Sequence, residues 1–231
     1  MVIRQEFMIA GIPAIAWGDS TDKVYISVHG QNGHKEEAEF LSEIVCAQGW
    51  QVLSFDLPEH GVRGAESNLF NPWTVVPELQ KIMEYAKTKW STRAIYGNSI
   101  GAWFSMQAFK DEVFVKCLFV SPILDMQRLI EGMMGWAGVT IEQLEQEKTI
   151  KTAFGQTLSW EYLLYAQNNA ISRWQSPTHI LYADKDNLTE RCVVDEFVKR
   201  FNCHLTVMDG EHWLHTPQQL EFLAEWVRDN C

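Results

Sequence analysis

The sequence of 231 residues lacks an excess of basic residues, a long apolar run and any closely spaced cysteine pair. Lys and Arg together number 19 against 30 Asp and Glu, so the formal net charge is 19 − 30 = −11. Nucleic-acid binding depends on a clustered basic face, and anionic lipid surfaces likewise attract basic segments. We therefore expect no nucleic-acid partner and no attachment to an anionic membrane surface.

No apolar run reaches the roughly 18 residues that a membrane span requires. The best stretch, 113–124, is interrupted by Lys116. The segment from Met1 to Glu6 lacks the basic start and apolar centre of a secretory signal. The five cysteines are scattered and include no Cys-x-x-Cys pair, which is typical of reduced thiols. These absences predict a cytoplasmic protein without a membrane span.

Internal repeats, low-complexity segments and Gly/Ser-rich linkers are also absent, which predicts a single domain over residues 1–231. Short apolar or β-branched runs predict strands at 14–17, 24–28, 51–55, 93–96, 116–120, 178–182 and 204–208. Most are separated by segments with helical spacing, at 36–48, 72–89, 100–110, 189–201 and 217–228. This alternation is typical of an α/β fold with a mainly parallel central sheet flanked by helices.

One segment breaks the alternation. Residues 121–177 contain no good strand pattern, and three helical patterns fill much of the segment instead. A crossover between parallel strands needs only one helix. We therefore predict a small helical cap inserted over residues 125–172, in preference to a helical decoration without a role.

The most informative string is a Gly-x-Ser-x-Gly pentapeptide, Gly97-Asn98-Ser99-Ile100-Gly101, between a predicted strand and a predicted helix. A sharp turn there lifts the serine hydroxyl clear of the sheet edge, and the glycines let strand and helix approach closely. The serine then lies at a helix N-terminus, where free N–H groups favour developing negative charge. The pattern predicts Ser99 as a nucleophile, in preference to a plain glycine-rich connection.

With this motif, the chain resembles the α/β-hydrolase superfamily, in particular its serine esterases and lipases. His29-Gly30-Gln31 follows an apolar strand, as the superfamily's oxyanion loop does. The segment 56–61 resembles the superfamily's Asp-x-x-Gly-His-Gly turn, with Glu59 in place of the usual glycine. An acid after a late strand and a histidine near the C-terminus keep the order Ser…Asp…His. The resemblance implies an α/β-hydrolase fold and an enzyme acting on ester bonds.

A nucleophilic serine needs a base, because its hydroxyl is hardly ionised at neutral pH. The resemblance places this base at His212, in the loop before the last predicted helix, with His215 as the main rival. The two histidines have neither an HExxH spacing nor a thiolate partner, so we expect no metal site. No cofactor is expected either.

The acid that orients the base should follow the strand predicted at 178–182. The superfamily pattern is Gly-x-x-Asp, and with Ala183 in the glycine position the matching acid is Asp186. Its role would be to hold the imidazole of the base in one tautomer and to stabilise the imidazolium. Asp184 and Asp125 are the alternative acids.

Acyl transfer also needs two donors for the tetrahedral oxyanion. The backbone N–H of Ile100, which follows the nucleophile, is the first candidate. The resemblance supplies the second from the loop after the first central strand, at Gln31. These two N–H groups form the predicted oxyanion hole.

The aromatic content is high, with 10 Trp, 12 Phe and 6 Tyr. Ligands of open α/β sheets bind beyond the carboxyl ends of the strands, so the predicted cap would roof the serine. Its Met and aromatic side chains suit an apolar acyl or alcohol group, although packing of the cap onto the body is the alternative for most of them. The candidate substrate-binding residues are Trp73, Trp136, Trp160 and Trp213.

Together these features predict cleavage of a small, largely apolar carboxylic ester through an acyl-enzyme at Ser99. A thioester or an amide would use the same groups. The alternatives are a lyase or haloperoxidase chemistry of the same superfamily, and a non-catalytic ligand-binding protein on the same scaffold. The expected partner is a small-molecule ester, and no sequence feature indicates an oligomeric state.

Overall fold

The computed structural model describes residues 2–231, so Met1 of the predicted domain lies outside the described residues. The strands are β1 Arg4–Ile9, β2 Ile12–Trp17, β3 Lys23–Val28, β4 Gln51–Phe55, β5 Thr92–Asn98, β6 Cys117–Val120, β7 Thr149–Lys151, β8 Thr157–Ser159, β9 Thr178–Ala183 and β10 His204–Met208. The α-helices are α1 Ala38–Val45, α2 Pro72–Lys89, α3 Ile100–Ala108, α4 Met126–Ala137, α5 Ile141–Glu147, α6 Trp160–Asn168, α7 Arg191–Phe201 and α8 Pro217–Asn230.

Eight of the strands form one central sheet in the order β1-β2-β4-β3-β5-β6-β9-β10. The strands from β4 to β10 in that order pair in parallel, whereas β1 and β2 add an antiparallel edge. The remaining pair, β7 and β8, forms a separate antiparallel hairpin. The predicted α/β class, with a mainly parallel sheet flanked by helices, is confirmed.

Helices cover both faces of the sheet. Alternate residues of the central strands point to opposite faces and pack against these helices. In β3, Val24, Ile26 and Val28 belong to a core shared with α2, α3, α7 and the segment 126–168. Tyr25 belongs to a second core, which α1 and α8 cover on the other face. Burial on both faces explains why β3 and β6 have nearly continuous apolar sequences.

Parallel pairing brings the carboxyl ends of the central strands to one edge of the sheet. The segment after β3 begins at His29, and Ser99 follows β5. The loops after β9 and β10 begin at Asp184 and Asp209, and they are joined by a bond of 2.9 Å from the Lys185 N–H to the Gly210 carbonyl oxygen. Polar residues far apart in the sequence are therefore neighbours at this edge.

The predicted cap segment contains α4, α5 and α6 together with the β7–β8 hairpin. Helix α4 begins after Asp125, whose side chain accepts from the Arg128 N–H, and it ends at Gly138 in the left-handed conformation. The hairpin, which was not predicted, has strands of three residues, and only Leu158 of the six side chains is buried. Strands so short carry almost no periodic signal.

Strand β1 was also not predicted. Of its six residues only Ile9 is buried, because the strand lies at the sheet edge and its apolar pattern is correspondingly weak. The helix predicted at 36–48 is shorter than expected, since short 3₁₀ turns flank α1 on both sides. Among residues 2–231, no helix combines the length and the apolar character that crossing a membrane would need.

Candidate active site

Ser99 lies in a sharp turn between β5 and α3. Its backbone angles are φ 52° and ψ −122°, a conformation that is strained for a residue with a side chain. A Cβ atom at Gly101 would lie 2.3 Å from the Val28 carbonyl oxygen, and one at Gly97 would lie 2.9 Å from the Ala102 Cα. Both positions therefore require glycine, and the turn exposes the serine hydroxyl at the sheet edge.

The structure brings Ser99, His212 and Asp186 together in a chain of hydrogen bonds. The Ser99 Oγ lies 2.8 Å from the His212 Nε2, and the His212 Nδ1 lies 2.7 Å from the Asp186 Oδ2. A carboxylate beside Nδ1 favours the tautomer with the proton on that nitrogen. The Nε2 lone pair then faces the serine hydroxyl, as a general base requires.

Asp186 is held rigidly at the start of the loop after β9. Its side chain is fully buried, and its second oxygen accepts from the N–H groups of Leu188, at 2.8 Å, and Thr189, at 3.0 Å. The two alternative acids have other partners: Asp184 accepts from the Gly210 N–H, and Asp125 caps α4. The acid closest to the base is thus the one that matches the superfamily pattern.

His215 does not point toward the serine. Its ring stacks on Trp213 with centroids 4.6 Å apart, and its Nδ1 lies 2.9 Å from the Trp213 carbonyl oxygen. Its backbone N–H donates to Gln219, which takes part in capping α8. Of the two candidate bases, only His212 contacts the nucleophile.

The loop after β3 approaches the serine from the other side. A Cβ atom at Gly30 would lie 3.2 Å from the Ser99 Cβ, so this loop and the turn are in close contact. The predicted oxyanion donors, Gln31 and Ile100, both line the cavity around the serine. Neither backbone N–H donates a hydrogen bond within residues 2–231, so both can serve a ligand.

A buried imidazole fixes this loop. The His29 Nε2 accepts from the Leu57 N–H at 3.1 Å, which leaves the proton on Nδ1 to donate to the Gly30 carbonyl oxygen at 2.7 Å. Burial lowers the pKa of His29 from 6.5 to about 4, so the ring is neutral at pH 7. The Nε2 acceptor that holds the Leu57 N–H is therefore available at physiological pH.

The turn after β4 departs from the superfamily pattern at Glu59, and the structure explains the substitution. Glu59 has φ 66°, the left-handed region that favours glycine. Its carboxylate accepts from the backbone N–H groups of Leu69, at 2.5 Å, and Phe70, at 2.9 Å. These charge-assisted bonds offset the strain and fix the loop that leads to α2.

A cavity of about 910 Å³ surrounds Ser99 and lies within the range of small-molecule sites. The wall toward the cap is apolar, and α4 contributes a stripe with i, i+3, i+4 and i+7 spacing. The apolar side chains of this wall are Phe70, Ile123, Met126, Leu129, Ile130, Met133, Leu158 and Leu188. The sequence pattern predicts a helix here but does not identify the α4 stripe as a cavity wall.

Of the four predicted substrate-binding tryptophans, the structure places only Trp213 in the cavity wall. Trp73 packs against Tyr162 and Tyr165. Trp136 contacts Phe154 at the surface and is 53% exposed, while Trp160 packs against the core. A count of aromatic residues does not indicate which way each ring points, and three of these rings do not line the cavity.

The described chain offers no obvious metal centre. Within residues 2–231, no group of three or more His, Cys, Asp or Glu side chains comes close enough to hold an ion. The polar atoms around Ser99 are arranged as hydrogen-bond donors and acceptors to one another. Such an arrangement of side-chain and backbone groups can activate a hydroxyl and bind an oxyanion.

No family model matches this sequence. One curated relative, "Hydrolase ffsE" of Aspergillus flavipes, is 25% identical over 233 aligned positions, which cover 90% of this chain and 48% of that protein. The chain thus spans about half the length of this relative.

Solved structures give a closer match in shape. Est1E from Butyrivibrio proteoclasticus superposes with a TM-score of 0.76 at 19% identity, covering 98% of this chain and 96% of that one. Mouse alpha/beta hydrolase domain-containing protein 10 superposes with a TM-score of 0.75 at 13% identity, covering 98% and 97%. At these identities the likeness concerns the fold. The chain has the α/β-hydrolase fold.

Proposed function

We propose that the chain is a serine hydrolase that cleaves a carboxylic ester through an acyl-enzyme at Ser99. The observation that carries the proposal is the continuous hydrogen-bonded chain from Ser99 through His212 to the buried carboxylate of Asp186. Hydrolase-named proteins of related sequence or shape agree with it. A binding protein has no need for a strained serine aligned with an oriented base.

In the first half of the reaction, His212 Nε2 takes the proton of the Ser99 hydroxyl while the oxygen attacks the ester carbonyl carbon. The carbonyl oxygen becomes an oxyanion, and the N–H groups of Ile100 and Gln31 receive it. Removal of one such donor typically costs about 10²–10³ in kcat. The imidazolium, stabilised by Asp186, then protonates the departing alcohol as the carbon–oxygen bond breaks.

In the second half, a water molecule replaces the alcohol beside His212. The imidazole takes one proton from this water as its oxygen attacks the acyl carbon, and the same two N–H groups receive the new oxyanion. Collapse of this intermediate returns the proton to Ser99 and releases the carboxylic acid. One water is consumed for each ester cleaved, and the residues return to their starting state.

The apolar wall toward the cap fits the substrate's acyl group. Met133 and Leu158 lie in this wall, and among the lining residues of 2–231 no charged side chain interrupts it between α4 and β8. Apolar surface of this kind stabilises a buried hydrocarbon by about 0.8 kcal/mol per methylene. We propose short to medium aliphatic or aryl acyl groups as the substrate class.

A fluorophosphonate probe tests the nucleophile directly, because it forms a covalent bond only with an activated serine. We expect labelling of the wild type and none of Ser99→Ala. Persistent labelling of the variant would overturn the assignment of Ser99.

The base is tested by two histidine variants that lie in the same loop. His212→Ala should lose most turnover of p-nitrophenyl esters, whereas His215→Ala should retain it, since His215 does not contact Ser99. The opposite result would exclude His212 as the base. Loss in both variants, with intact folding, would point to a loop effect.

A further inference from the structure

The cavity continues past Ser99 onto the second face of the sheet. Its lining includes Ser27 and Tyr96, which are paired residues of β3 and β5 on the face that α1 and α8 cover. It also includes Glu37 beside α1, and Leu220 and Leu223 of α8. These five residues define what we call the rear lobe. The apolar wall toward the cap lies on the opposite face.

The rear lobe has an unbalanced negative charge. Among the residues of 2–231 that line the cavity, Glu37 carries the only carboxylate. The one lysine of the lining, Lys35, is already bound to the carboxylates of Asp56, at 3.0 Å, and Glu36, at 2.8 Å. Within residues 2–231 Glu37 itself forms no salt bridge, and the His34 ring of the lining is paired with Glu36 at 3.0 Å.

The position of Glu37 is well defined. A Cβ atom at Gly33 would lie 2.7 Å from the Glu37 Oε2 and 3.0 Å from the His29 Nδ1, so the carboxylate lies directly behind the loop that supplies Gln31. Burial raises the pKa of Glu37, and burial followed by the charge of Glu37 raises the pKa of Tyr96. Both residues line the rear part of the cavity.

Two hydroxyl groups accompany this carboxylate without partners of their own. Within residues 2–231, neither the Tyr96 hydroxyl nor the Ser27 hydroxyl makes a hydrogen bond, and neither is sealed from the cavity. The oxygen lone pairs of hydroxyls in such a position can turn toward a cation on a ligand. A carboxylate, two free hydroxyls and an apolar floor from α8 together match a cationic group with hydrocarbon around it.

The rear lobe lies on the side of the base. Leu214, two residues after His212, packs against the same apolar cluster as Tyr96, and this cluster contains Leu223. Because the base returns its proton to the departing alcohol, that alcohol must lie on the imidazole side of the scissile bond. The rear lobe is thus placed to receive the leaving group, and the apolar wall is placed to receive the acyl group.

We propose that the rear lobe binds a cationic leaving group, so that the preferred substrates are esters of amino alcohols, with Glu37 as the residue that recognises the charge. This inference rests on the proposed serine hydrolase function. The net charge of −11 attracts cationic substrates toward the molecule as well. Leu220 and Leu223 contact the methylene or methyl groups next to the nitrogen.

A matched pair of esters isolates the charge. Choline butyrate and 3,3-dimethylbutyl butyrate have nearly the same shape. The choline ester has a positively charged quaternary nitrogen where the other ester has a neutral quaternary carbon. We expect a kcat/KM at least about tenfold higher for the choline ester with the wild type, since a carboxylate inside the cavity attracts a cation and does not attract a neutral carbon. Glu37→Gln should reduce this ratio to within about threefold of one.

The control variant is Glu39→Gln, which removes the same charge from the exposed surface of α1 outside the cavity. It should keep the wild-type preference for the choline ester. If Glu37→Gln keeps the wild-type ratio of the two kcat/KM values, the proposal is overturned. An equal fall in kcat/KM with both esters would also overturn it, because that result would show that Glu37 only supports the loop.

Fluorophosphonate labelling separates this inference from the proposed function. If Ser99 is labelled, choline should slow its labelling more than 3,3-dimethylbutanol does, and Glu37→Gln should remove the difference. Equal protection by the two alcohols would overturn the inference while leaving the nucleophile intact. If Ser99 is not labelled at all, the proposed function fails, and the inference fails with it.

Discussion

The sheet edge and the cap face each other across one cavity, but they are built by different means. At the edge, Ser99 is placed by a strained turn, and Asp186 is held by two backbone N–H groups. In the cap, α4 presents a stripe of apolar side chains held by packing. The one polar link between the cap and the oxyanion loop is a bond of 3.1 Å between Gln31 and Gln156, within the residues 2–231 described.

This difference fits what the proposed function would require of each region. Proton transfer and oxyanion binding fail when atoms move by about an ångström, so the edge is fixed by directional bonds. Burial of a hydrocarbon depends on area and is non-directional, so the cap needs only apolar surface of suitable shape. We therefore expect changes at the edge to reduce the rate with every substrate, and changes in the cap to alter which substrate is preferred.

The largest effect is expected from Asp186→Asn. The amide keeps an oxygen for the Leu188 and Thr189 N–H groups, but it no longer favours the His212 tautomer with the proton on Nδ1. In a comparable triad this exchange lowers kcat by about 10⁴, and we expect a fall of about 10²–10⁴ for every ester tested. Steady-state kinetics measure it. Asp184→Asn, two residues away, should stay within a few-fold of wild type.

A pair of glycine variants separates the two regions by stability. A Cβ atom at Gly101 would lie 2.3 Å from a backbone oxygen, so Gly101→Ala should destabilise the fold by about 2–4 kcal/mol. Gly132 lies within α4, where a Cβ atom would meet nothing within 4 Å, so Gly132→Ala should stabilise by about 0.5–1 kcal/mol. Urea unfolding measures both. Equal changes in the free energy of unfolding of the two variants would contradict the contrast between edge and cap.

Acid should weaken the edge before the cap. The unfolded chain protonates His29 below its ordinary pKa of 6.5, whereas the folded protein binds that proton only near pH 4. Stability from this residue is therefore intact above about pH 6.5 and is lost as the pH falls toward about 4, by up to about 3 kcal/mol. His29→Asn should flatten this part of the stability profile. If the stability of His29→Asn depended on pH in the same way as that of the wild type, this prediction would be contradicted.

The location of the acid effect can be measured separately. The cap segment 125–172 contains no histidine, so hydrogen exchange at pH 5 should increase first in the loop after β3. Earlier exchange in α4 would show that the cap, and not the edge, is the acid-sensitive region.

The sequence predicts the positions of most of the polar residues at the sheet edge, because few other residues could replace them there. Ser99 follows a strand and precedes a helix between two glycines that sterics require. Asp186 and His212 follow the last two strands, and a parallel sheet brings such positions together whatever their separation in sequence. The positions of these side chains thus follow from topology, although their chemical roles are a proposal.

The cavity walls could not be predicted in the same way. Trp136 and Trp160 are candidates because they lie in the predicted cap. The direction of each ring depends on the helix phase, however, and three short helices in an insertion leave that phase open. Met126, Leu129 and Ile130 form a regular stripe, but a stripe that faces a cavity has the same pattern as one that faces a core. Glu37 was not singled out, since only the fold brings it behind the oxyanion loop.

The smallest expected effect is a change of preference in the cap. Met133 lines the cavity, while its neighbour Met134 is buried in the core and does not. Met133→Ala enlarges the acyl site by roughly the volume of two to three methylenes, so kcat/KM should shift toward longer acyl chains by about three- to tenfold. Met134→Ala should lower the free energy of unfolding by about 2–5 kcal/mol without altering the chain-length profile. A shift in the Met134 variant, or none in the Met133 variant, would mean that the acyl group does not contact α4.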